Sequence, residues 1–155
     1  MSYENFMSTP QNLKDYYNIP DRKDKNVPIK IGLYQSLKQY FTKNDIFLFY
    51  KNYIRNNGIS YDTSFNIWLN NSESIIFKGN DSYNAEEVYN GNNKIINEVI
   101  ANNGIFSFSE ASLDVQIVVG ICNIGINTND KIYIYQSIDE PIFLGDFFDY
   151  LIENK

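Results

Sequence analysis

The chain is 155 residues long, 43% apolar and 16% aromatic, with a formal charge of −6 at pH 7, which sets the expectation of one folded domain over 1–155 and argues against extensive disorder. The charge is uneven: residues 1–57 carry nine Lys/Arg against five Asp/Glu, a balance of +4, whereas 58–155 carry four against fourteen, −10. A −10 region disfavours nucleic acid, whose affinity comes largely from neutralised phosphates, and favours rapid encounter with a basic protein.

Residues 1–28 read as an irregular arm. Pro10, Pro20 and Pro28 interrupt helix, and Asp21-Arg22-Lys23-Asp24-Lys25-Asn26 alternates charge as a solvated loop does. Leu33, Leu37, Tyr40 and Phe41 then fall at helical spacing. Thr42 with Asp45 forms a capping box for a second helix carrying Ile46, Phe49, Tyr50, Tyr53 and Ile54. Asn56-Asn57-Gly58 stops it, so a helical hairpin is expected over roughly 31–56.

Phe65, Ile67 and Leu69 alternate with Asn66 and Trp68, the period of a strand, and residues 73–79 read as its hairpin partner after Asn70-Asn71. Residues 82–104 are helical in two parts with a break at Asn90-Gly91 and a stop at Gly104. Residues 105–109 read as a short strand. Residues 113–121, with Leu113, Val115, Ile117, Val119 and Ile121 on one face, read as a central strand. Ile132 and Ile134 alternate with Tyr133 and Tyr135 in another strand. Pro141 limits a following short strand to an edge. Asp146 caps a last helix whose stripe is Phe147, Phe148, Leu151 and Ile152, with Asp149, Tyr150 and Glu153 outward. The expected fold class is therefore α+β: a single domain with a mainly antiparallel sheet, an N-terminal helical hairpin, a middle helix and a C-terminal helix.

The chemical inventory is narrow. There is no histidine, which removes Ser-His and Cys-His pairs and His-based metal sites. The single Cys122, in apolar surroundings, reads as a small hydrophobe in a reducing compartment. Gly120 and Gly125 have the separation of a phosphate loop, but Ile126 and Asn127 stand where Lys and Ser/Thr are required. Neither a cofactor nor a metal is expected. Carboxylate chemistry remains through Glu110 and Asp114, if they converge in a pocket. No run of 18 apolar residues is present and the start lacks a basic then apolar leader, so a cytoplasmic protein with no membrane partner is expected.

Recognition by surface fits this inventory best. Thirteen tyrosines supply contact area at low entropic cost. Trp68, Tyr133, Tyr135 and Tyr150, with Asp139, Glu140, Asp149 and Glu153, make the candidate binding face, an acidic-aromatic surface suited to a basic toxin or nuclease. A homodimer through a free β edge is a further expectation.

The closing stretch, Lys131–Ser137 as a strand and then Phe143-Leu144-Gly145-Asp146-Phe147-Phe148-Asp149-Tyr150-Leu151, resembles the end of SUKH-type bacterial immunity proteins. Asp146, Phe147, Tyr150 and Leu151 give a loose version of that family's closing signal, over about 25 of the 155 residues. The resemblance implies a small acidic α+β protein that protects a bacterium by binding a cognate toxin. The functional expectation is an immunity or inhibitor protein acting by occlusion rather than an enzyme. A phage-encoded inhibitor of a host defence complex, a carboxylate-dependent enzyme or ligand binder, and a structural subunit are the alternatives.

Overall fold

The computed structural model describes residues 9–54, 62–138 and 144–153. Among them lie seven α-helices and three strands: α1 (Pro10–Tyr17), β1 (Lys30–Gln35), α2 (Lys43–Phe49), α3 (Asp62–Asn70), β2 (Ile75–Lys78), α4 (Ser82–Tyr89), α5 (Asn93–Asn103), α6 (Glu110–Ile121), β3 (Lys131–Gln136) and α7 (Leu144–Glu153). The strands form one sheet in the order β1-β3-β2, and both pairings are parallel. The fold is therefore α/β, a Rossmann-like arrangement of a parallel sheet with interleaved helices, and not the antiparallel α+β fold expected. No described helix is long and apolar enough to cross a membrane.

Parallel register puts paired residues on the same face of the sheet. Ile31 and Leu33 align with Ile132 and Ile134, and these with Ile75 and Phe77. This face packs against α2, α3 and α6 in the main core, where Ile46, Phe65, Trp68, Val115, Val119, Ile132 and Ile134 are all nearly or fully buried. The other face carries Gly32, Tyr34, Tyr133 and Tyr135, and α7 lies across it. A Cβ on Gly32 would come within 2.2 Å of Leu151 Cδ2, so the helix sits close on β1 there.

Four assignments change type, and in the three longer ones tertiary contacts override a local pattern. The first half of the expected hairpin is β1: Ile31 and Leu33 also satisfy period two, and pairing with β3 settles the ambiguity. The expected strand at 65–69 is α3. Its buried residues are Phe65, Trp68 and Leu69, at i, i+3 and i+4, while Ile67 is exposed. The expected central strand is α6, buried through Ala111, Val115 and Val119 one turn apart, with Leu113 and Ile117 outward. Residues 105–108 form a 3₁₀ turn rather than a strand. β2 is a strand as expected, but it joins β3 in parallel and has no hairpin partner among the described residues.

The arm is also more ordered than expected. Pro10 begins α1 at a position where its missing N–H costs nothing, and Thr9 accepts from Asn12 N as N-cap. The capping box of Thr42 and Asp45 is present, and α2 runs on into a π-turn over Tyr50–Ile54. The break between α4 and α5 at Gly91, with φ 83°, is also present. The stop proposed at 56–58 and the short strand near Pro141 lie outside the described residues.

Candidate functional site

α7 is positioned by an aromatic layer. Phe147 approaches Tyr34 and Tyr135 with ring centroids 5.5 and 6.1 Å apart, and Tyr150 approaches Tyr135 and Tyr133 at 5.7 and 6.1 Å. Phe147 and Tyr150 are thereby buried and Leu151 half-buried. Burial, with a smaller contribution from Tyr133, pushes the Tyr150 hydroxyl up to about 12. Burial also raises Tyr135, helped by the negative charge of Asp146 and by Tyr34.

The helix is thus rotated from the expected stripe. Phe148 and Ile152 are not core: they are 54% and 59% exposed. Asp149 and Glu153, each one residue further on, are also exposed. Positions 148, 149, 152 and 153 share one side of a helix, so two large apolar side chains run beside two carboxylates. Asp146 in the first turn is exposed as well, and the helix carries no basic residue. A carboxylate near the helix start is favoured by the helix dipole.

The expected binding residues divide accordingly. Asp149 and Glu153 are brought together on the outward face of α7. Tyr133 and Tyr135 are half-buried under the helix, and Tyr150 faces inward with them rather than outward. Trp68 is fully buried in α3, where its Nε1 donates to the Asp130 carbonyl at 2.8 Å. Asp139 and Glu140 lie outside the described residues. Sequence reasoning missed Phe148 and Ile152 as surface residues. The signal was present: Phe147, Tyr150 and Leu151 at i, i+3 and i+4 make an equally good buried stripe.

Glu110 and Asp114 lie one turn apart at the start of α6, not on a strand. Burial raises the Asp114 carboxyl above its ordinary value, and the neighbouring Glu110 charge adds to that. Neither lines the cleft of about 410 Å³ that is walled by Lys43, Phe47, Asn66, Asn70, Tyr89 and neighbours. Cys122 ends α6 half-buried; burial pushes its thiol up, which suits a hydrophobe and not a nucleophile. Among the described residues no group of three or more Cys, Asp or Glu could hold a metal ion.

No family model, no curated protein and no solved structure matches this chain.

Proposed function

We propose that the chain is a protein-binding protein of the immunity or inhibitor type, which occludes a basic partner with the outward face of α7. One observation carries the reading: Phe148 and Ile152 stand exposed beside Asp149 and Glu153 on a helix whose opposite side is anchored in the aromatic layer. Apolar anchors ringed by charge are the form of an interface hot spot, in which the anchor gives affinity and the rim steers approach. The −10 balance of residues 58–155 selects a basic partner. This function agrees with what the closing resemblance to SUKH-type proteins implies, though the fold does not.

α7 has ten residues and so is about 15 Å long. A stable interface needs roughly 800 Å² from each partner, so the contact extends beyond the helix. Asp139 and Glu140 precede it in sequence and extend the acidic character of the same segment.

The test begins with affinity capture from the source cell and purification of the captured protein. Titration should then show Phe148→Asp weakening the complex by about 30-fold or more, corresponding to a hot spot of about 2 kcal/mol. Circular dichroism should show the variant folded, because Phe148 contributes little to the core. Equal affinity of the folded variant would rule out the face.

A further inference from the structure

The three parallel strands end together. Gln35 and Gln136 are in register, and Lys78 lies beside Tyr135. The loops leaving these ends close around a crevice of about 230 Å³, with α5 as its far wall. In open parallel sheets this is where ligands bind, outside the carboxyl ends of the strands.

The base of the crevice is built from Tyr40 and Asp81, each only 2% exposed. Tyr40 Oη donates to Asp81 Oδ2, and Asn84 Nδ2 donates to Asp81 Oδ1 at 2.8 Å. An ionised carboxylate offers about four acceptor positions, and these two bonds occupy two of them. No lysine or arginine among the described residues forms an ion pair with Asp81. A buried carboxylate without a counter-ion is costly, and a cation arriving in the crevice would remove that cost.

The surrounding backbone is shaped for this opening. Leu37 and Lys38, in the loop after β1, both have left-handed φ, 59° and 56°. Consecutive left-handed non-glycine residues store backbone strain, and such strain gathers at ligand sites. Gly79, after β2, has φ 98°, and a Cβ there would lie 2.1 Å from the Gln136 carbonyl oxygen. That close approach lets Asp81 N reach Gln136 O at 3.3 Å, while Ile138 N reaches Asn80 Oδ1 at 2.9 Å. The three loops are thus tied into one rim.

The lining then specifies a ligand. Lys38 supplies a cation at the rim and Asn84 an amide. Glu98, on α5, adds a second carboxylate, though it is largely exposed and meets Lys94 at 4.0 Å. Ile95, Val99 and Ile138 form an apolar wall. At about 30 Å³ per water the space equals some eight waters, enough for a small organic molecule. We infer that this crevice binds a free amino acid. The ammonium group meets Asp81, the carboxylate meets Lys38, and an aliphatic side chain lies on the apolar wall. This site is separate from α7 and does not depend on the partner-binding reading.

Two-dimensional ¹⁵N NMR titration of the intact chain tests it, using pools of the free amino acids, then L-leucine with isobutylamine, isovalerate and sorbitol as controls. The expected result is a saturable shift at Lys38, Asp81, Asn84 and Val99 with an aliphatic amino acid, at least tenfold tighter than with any control. Asp81→Asn, which keeps an acceptor for Tyr40, should weaken binding tenfold or more. Lys38→Ala, in the rim, should do the same without touching the buried pair. No saturable shift from any pool would overturn the inference. So would a control binding as tightly as the amino acid, or a folded Lys38→Ala chain with unchanged affinity.

Discussion

Asp130 is fully buried, and donors from several segments converge on its carboxylate. Arg22 reaches its two oxygens at 2.7 and 2.9 Å, Ile29 N donates at 2.8 Å and Gly125 N at 2.9 Å. Lys14, also buried, bonds Asn123 Oδ1 at 2.8 Å and Asp21 at 2.9 Å. Two charged side chains of the N-terminal segment are thereby locked onto the loop between α6 and β3. Replacing one member of such a pair leaves a buried charge without its partner. Asp130→Asn should therefore cost about 3–5 kcal/mol in urea unfolding, and Arg22→Met combined with it should cost less than the sum of the two. Additive losses would show that the pair does not act as a unit. Asp114 gives the opposite sign. Its folded-state carboxyl is raised, so its favourable contribution is present below the unfolded value of 3.8 and is lost as pH rises. Asp114→Asn should raise the melting temperature at pH 7 and leave it nearly unchanged near pH 3.

At the scale of elements, what could be read in the sequence was whatever has a local cause. The Thr42–Asp45 box, the Gly91 break, the alternation of 131–136 and the amphipathic end all act within a few residues, and the corresponding elements are present. β1, α3 and α6 were misread because short apolar runs fit both periods, and only long-range packing chooses between them. In α6 the β-branched Val115, Ile117, Val118 and Val119 favoured a strand, yet one helical stripe meets the core through Val115 and Val119. Helix and strand predict different mutational patterns. Ile117→Glu, on the outward side, should cost under about 1 kcal/mol, whereas Val115→Ala should cost about 2. Comparable losses at 115 and 117 in thermal denaturation would favour a strand with both on one buried face. The candidate face was half legible: its carboxylates stood out, but its apolar members were assigned to the core and its aromatic members to the surface. For Phe148, Tyr150 and Ile152 the cause is one rotation of α7, whereas Trp68 is buried because its segment is the helix α3, and Tyr133 and Tyr135 lie under α7.

The whole molecule places acid and apolar surface together on a layer of its own. The sheet is packed by α2, α3 and α6 on one side and by α7 on the other, so α7 is held by the aromatic contacts of Phe147 and Tyr150 and by Leu151. Its remaining surface is open to a partner without disturbing the main core. A carboxylate rim predicts salt-sensitive association. Asp149→Lys with Glu153→Lys, tested alone and with charge reversal at Asp139 and Glu140, should slow association severalfold, with the difference shrinking as ionic strength rises. Rates equal at low salt would show that the α7 carboxylates do not steer association. Hydrogen–deuterium exchange of the chain with and without its purified partner locates the interface directly. Backbone amides of Phe148–Glu153 should gain protection in the complex. Protection gained elsewhere, with α7 exchanging as in the free chain, would contradict it.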